Sequence, residues 1–63
     1  MIQYYSDRER RGVIKIVNEY DGYVWDFYSQ MWVPYPAAVD VKYDKRNFSR
    51  ISVYETERII GIW

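Results

Sequence analysis

The chain is predicted to be all-β, a small barrel or a strongly bent antiparallel sheet of five to six short strands with one helical turn near residues 7–11. Two turn signals carry that prediction. Asp21-Gly22 interrupts one β-rich run and Asp44-Lys45-Arg46-Asn47 interrupts another, and around each of them the apolar residues alternate.

The elements follow in chain order. Ile2 to Tyr5 reads as a first strand. In "SDRERRG", Ser6 and Glu9 stand at capping-box spacing and Gly12 stands where a helix stops, which predicts the helical turn. In "GVIKIVNEYDGYVWDFY", the Asp-Gly pair suits a two-residue turn whose central residues both need positive φ. That turn sets Tyr20 opposite Tyr23, Asn18 opposite Trp25 and Ile16 opposite Phe27. One face then carries Ile14, Ile16, Tyr20, Tyr23, Trp25 and Phe27 as core, while Val13, Lys15, Val17, Glu19, Val24, Asp26 and Tyr28 face outward.

"SQMWVPYP" is expected to be an extended loop, because Val33 and Tyr35 each precede a proline and are driven from the helical region. In "AVDVKYDKRNFSRISVY", Asp44 begins a type I turn and Asn47 closes it in the left-handed region. Val41 then faces Ile51, Val39 faces Val53 and Lys42 faces Arg50. That last pair sets like charges across a sheet. "RIIGIW" is expected to be a final short strand with a bulge at Gly61.

Short hairpin-linked strands of this kind resemble the SH3-like barrels, and "DGYVW" within a hairpin is similar to the turn of Tudor-type modules in that class. The resemblance implies a small barrel and no functional residue. The acidic loop with which SH3 domains hold proline-rich peptides has no counterpart here.

A chain of 63 residues is one domain with a thin core. With no cysteine and no histidine it has neither a disulfide nor the usual ligands of zinc or iron, so no cofactor or metal is expected. A second subunit is the remaining route to stability, which predicts a homodimer. No signal-peptide pattern and no apolar run of about 20 residues is present, so a cytoplasmic protein off the membrane is expected.

Nine basic and nine acidic side chains cancel, which argues against a duplex-DNA protein held by phosphate contacts. The charges are nevertheless segregated. Ile16 to Val41 contains Glu19, Asp21, Asp26 and Asp40 with no Lys or Arg, whereas Lys42 to Arg50 holds Lys42, Lys45, Arg46 and Arg50 against Asp44 alone.

Catalysis has little to draw on. Serine and threonine are present, but no His or Cys stands beside them to take a proton, and there is no glycine-rich phosphate loop. The expectation is therefore a non-enzymatic module. Its candidate anchors are the rings that the first hairpin leaves over, Tyr28, Trp32, Tyr35 and Tyr54. Trp32 and Trp63 have a structural alternative, closing the two ends of a barrel.

Two functions suit these residues, and the Tudor-like resemblance by itself implies a third, recognition of methylated lysine in an aromatic cage. The first is binding of another protein, or of a second copy, through an aromatic patch, as an inhibitor or regulator would. The alternative is a nucleotide or single-stranded nucleic acid, including a cyclic dinucleotide, whose bases stack on the rings while Lys42, Lys45, Arg46 and Arg50 hold phosphate.

Overall fold

Val13-Ile14-Lys15-Ile16-Val17 is apolar on both sides, and it is the middle strand of a five-stranded antiparallel sheet. A computed structural model describes residues 1–61. The strands are β1 (Ile2–Asp7), β2 (Val13–Val17), β3 (Asp21–Asp26), β4 (Met31–Pro34) and β5 (Phe48–Ile51), in spatial order β4-β3-β2-β1-β5. A 3-10 helix (Pro36–Tyr43) follows β4, and α1 (Val53–Ile60) follows β5. No helix among the described residues is long and apolar enough to cross a membrane.

The antiparallel sheet is as expected, but it is open. β4 and β5 are its two edges and do not pair with each other among the described residues, so no barrel closes. What replaces closure is a cover on each face. Val13, Trp25 and Ile51 form one core with Tyr4, Trp32 and the α1 residues Ile59 and Ile60. Ile14, Ile16 and Ala38 form the other with Tyr5, Val24, Phe48 and the 3-10 residues Val39 and Val41.

The first hairpin turns three residues earlier than predicted. Its turn runs over Asn18 and Glu19, both left-handed at φ 52° and 72°, and Tyr20 N–H donates to the Val17 carbonyl at 3.3 Å. The register is Val17 to Asp21, Ile16 to Gly22, Lys15 to Tyr23 and Ile14 to Val24, so Asp21-Gly22 lies within a strand. Of the predicted one-faced core, Ile14, Ile16 and Trp25 are buried, but on opposite faces. Tyr23 is half-buried, Tyr20 is 80% exposed, Phe27 is exposed, and Val13, expected outside, is fully enclosed. The one-faced assignment fails because both faces are roofed, and an apolar stretch on either side of β2 is then satisfied at once.

Glu19 has no glycine-like licence for its left-handed backbone, which costs an ordinary residue about 1–2 kcal/mol. Glu19→Gly is therefore expected to stabilise the fold by about 1 kcal/mol, raising the melting midpoint by roughly 4–8 °C. An unchanged or lower midpoint would show that the turn carries no strain.

The second turn keeps its place but joins different elements. Asp44 accepts the Asn47 N–H on its carboxylate at 3.3 Å and the Phe48 N–H on its carbonyl at 3.0 Å, while Asn47 is not left-handed. The segment before it is the 3-10 helix, and β5 pairs with β1, so neither Val41 with Ile51 nor Lys42 with Arg50 is a cross-strand pair. Pro36 opens that helix, its fixed φ suiting the first position. Ala38 and Val41, three apart, then fall on one side of a three-residue turn and meet the sheet.

The helix signature expected near residues 7–11 is borne by residues 52–61 instead. Ser52 Oγ accepts the Glu55 N–H at 3.0 Å, and Gly61 ends α1 in the left-handed region at φ 75°, so Arg58 to Ile60 is helix and not strand. At the earlier site Ser6 is buried within β1, its hydroxyl donating to the Gly12 carbonyl at 2.9 Å. The Asp7 carboxylate accepts the N–H groups of Arg11 and Gly12 at 2.8 and 3.0 Å, so this is a hairpin loop. Ile62 and Trp63, the end of the predicted last strand and the predicted barrel plug, lie outside the described residues.

Candidate functional site

"SQMWVPYP" supplies a strand where a loop was expected, and this strand builds the site. β4 pairs with β3 as Asp26 to Met31, Trp25 to Trp32, Val24 to Val33 and Tyr23 to Pro34. Beyond it, Tyr35 N–H donates to the Gly22 carbonyl at 2.8 Å. Hydrogen-bonded pairs alternate in an antiparallel ladder, so the pairs at Val33 and Met31 bond inward while Trp32 and Pro34 point their backbone groups off the sheet. Proline has no N–H to lose in that position. The edge thus ends at Pro34 without costing the ladder a bond.

The β3–β4 turn is held by one carboxylate. Asp26 accepts the Tyr28 N–H at 3.0 Å and the Ser29 hydroxyl at 2.8 Å, while its carbonyl takes the Gln30 N–H at 2.7 Å. Gln30 closes the turn at φ 57°. The result is a braced tip that carries Phe27 and Tyr28 outward, Tyr28 being 99% exposed. With Met31, Val33 and Tyr35, also exposed, an apolar margin runs along the whole hairpin.

The Asp26 carboxyl is held below its ordinary value of 3.8 by the Ser29 and Tyr28 bonds, and the Asp7 carboxyl is lowered by the Gly12 N–H first of all. A lowered folded-state pKa contributes stability above the unfolded value and loses it as pH falls through the folded one. Both loops are therefore expected to hold near neutral pH and to loosen as pH falls below about 3.9. Amide exchange at Tyr28, Ser29, Arg11 and Gly12 reads this directly, and exchange unchanged down to pH 2 would remove the two carboxylates from the account.

Of the four predicted aromatic anchors, the structure brings three to this hairpin. Tyr28 and Tyr35 are exposed, but Trp32 is half-buried, its ring 5.1 Å from Trp25 and 6.1 Å from Tyr4 between centroids. Lys15 Nζ lies 4.6 Å from the Trp32 ring and 5.0 Å from the Tyr23 ring, and burial lowers its pKa. Trp32 is thus committed to the α1-side core. Tyr54 belongs to another element, the first turn of α1, under the Arg58 guanidinium at 6.0 Å. Met31 and Val33 were missed, although a proline closing an alternating run was available as the mark of an edge strand.

The predicted basic residues gather elsewhere. Lys42 ends near the last turn of the 3-10 helix with Nζ 5.2 Å from the Tyr43 ring, Lys45 and Arg46 are on the 45–47 turn, and Arg50 is on β5 opposite Tyr5. β4 and β5 are opposite edges, four strand spacings or about 19 Å apart. Arg50 and the rings of the hairpin therefore do not share one site, while Lys42 lies on the 3-10 helix that packs on β3 and β2.

Two open clefts flank the sheet. One, of about 360 Å³, is lined by Asp7, Arg8, Glu9, Asn47 and Phe48. Arg8 Nε there donates to the Arg46 carbonyl at 3.0 Å, and two carboxylates beside one guanidinium give the cleft no surplus of positive charge. The other, of about 150 Å³, is lined by Tyr20, Asp21, Gly22, Tyr23, Pro34 and Pro36, where β4 leaves the sheet. Among the described residues no three carboxylates converge as a metal site would need.

Comparison with known proteins returns nothing for this chain: no family model matches it, no curated protein does, and no solved structure does.

Proposed function

We propose that this is a non-enzymatic protein-interaction module that docks on a partner through the β3–β4 hairpin. The observation that carries the proposal is the density of exposed large apolar side chains there: Phe27, Tyr28, Met31, Val33 and Tyr35 within nine consecutive residues. Exposed apolar margins of this kind mark interaction surfaces, and rings supply contact area at low entropic cost. A turn braced by Asp26 presents them in one conformation, which lowers the ordering cost of binding.

Charge favours a different protein over a second copy. The hairpin belongs to a stretch whose only charged groups are acidic, Glu19, Asp21, Asp26 and Asp40, and a two-fold interface would set that rim against itself. A partner with a basic rim around an apolar centre fits better. Occupying such a surface on another protein is how a small inhibitor or regulator would act.

The test pairs capture with self-association. The double variant Tyr28→Ala, Met31→Ala is expected to keep the melting midpoint within about 0.5 kcal/mol equivalents of the parent, since both side chains are exposed. It is expected to lose a partner identified by cross-linking to the parent chain. Retention of that partner by the folded double variant would refute the docking role, and a dimer in sedimentation that the same variant dissociates would replace the foreign partner with a second copy.

A further inference from the structure

The smaller cleft lies at the end of the same edge, and its chemistry differs from that of the hairpin. Tyr20 and Tyr23 contribute two rings, Asp21 a carboxylate, and Pro34 and Pro36 two rigid apolar walls. Rings attract cations to their faces, and a carboxylate beside them makes the preference specific to positive charge. At about 150 Å³ the cleft is smaller than the roughly 300–1,000 Å³ of small-molecule sites. It suits one side chain better than a nucleotide or a cofactor.

We propose that this cleft receives an arginine side chain of the protein partner, its guanidinium stacked on the Tyr20 ring and paired with the Asp21 carboxylate. The inference builds on the docking role of the hairpin and names the chemistry of what docks. Arginine is preferred to lysine because its flat group can stack on a ring and present a fork of donors to a carboxylate together. Tyr20 is the open ring, whereas Tyr23 is half-buried and already carries Lys15 Nζ 5.0 Å from its centre.

Lys15 Nζ sits on the Tyr23 side of the cleft, so the negative charge that suits a cationic guest lies on the Tyr20 and Asp21 side, in the stretch from Ile16 to Val41 that holds no Lys or Arg. The fold also explains why the cleft exists. Gly22 has no side chain, so Tyr35, Ala38 and Val39 pass close above it, an added Cβ lying 2.7 Å from the Tyr35 carbonyl oxygen. That passage brings Pro36 to the cleft that Tyr20, Tyr23 and Pro34 also line.

The cleft can be tested without the partner, by following ring and amide signals of the whole chain during titration with N-acetyl-arginine methylamide and with its uncharged isostere N-acetyl-citrulline methylamide. Saturable shifts confined to Tyr20, Asp21, Gly22 and Tyr23 are expected with arginine and not with citrulline. Asp21→Asn, at an exposed position, should weaken the arginine response about tenfold, and added salt should weaken it further. No shifts at tens of millimolar, equal shifts with citrulline, or equal affinity for the lysine analogue would overturn the assignment.

The hairpin variant Tyr28→Ala, Met31→Ala separates the two proposals. It should leave the small-molecule titration unchanged, because neither residue lines the cleft. A failed titration beside successful partner capture would remove only the arginine site. Capture that survives the hairpin variant would remove only the hairpin.

Discussion

Ile16→Ala is expected to cost about 2–5 kcal/mol of folding free energy, the range for truncating a buried isoleucine. Ile16 is 1% exposed, lies opposite Gln3 on β1 and Gly22 on β3, and packs in the core beneath the 3-10 helix. Strands bonded on both sides hold the backbone in place, so the cavity cannot close by collapse. For a 63-residue chain the total stability is roughly 3–9 kcal/mol, and this one change removes much of it. The melting midpoint should fall by more than about 8 °C. A fall of less than about 4 °C would mean that the face under the 3-10 helix is not a core at all, and with it would go the account of why both sides of β2 are apolar.

Gly22→Ala should also destabilise, against the usual sign for that exchange. At a position whose φ is not positive, alanine in place of glycine ordinarily gains about 0.4–1 kcal/mol by restricting the unfolded chain, and Gly22 is such a position. Here the new Cβ would stand 2.7 Å from the Tyr35 carbonyl oxygen, 3.0 Å from Ala38 Cβ and 3.2 Å from Val39 N. Two of those atoms are backbone, so the start of the 3-10 helix must lift and strain the 2.8 Å bond from Tyr35 N–H to the Gly22 carbonyl. Overpacking of this kind costs about 1–3 kcal/mol. Gly12 is the control, since nothing lies within 4 Å of an added Cβ there. Chemical denaturation of both variants decides it: Gly22→Ala as stable as Gly12→Ala would show that the two segments do not pass so closely.

The same glycine shows where sequence reasoning went astray. Asp21-Gly22 looks like a turn because glycine and aspartate tolerate positive φ, yet here Gly22 is needed for its missing side chain. Sequence cannot separate these two uses, because both ask only for the absence of Cβ. Asn18-Glu19 took the turn because that register buries Val13 with Trp25 on one side and Ile14 with Ile16 on the other. Other signals were legible and assigned to the wrong copy. Ser-x-x-Glu followed by Gly occurs at Ser6, Glu9 and Gly12 and again at Ser52, Glu55 and Gly61, but only the second encloses an apolar stripe, with Val53, Thr56, Ile59 and Ile60. A cap without a stripe has nothing to hold the helix against.

Residue chemistry alone determined that strands would dominate, that the chain would reverse at residues 44–47, and that Trp25 would be inside while Tyr28 stood out in solvent. Alternation and turn chemistry are local, so they survive without knowledge of the fold. Only the tertiary structure decided that the sheet has two roofs and that Trp32 is spent on the core. It also placed the aromatic margin and Arg50 on opposite edges. Those outcomes depend on which distant segment covers which face, a choice made by burying both sides of β2 at once.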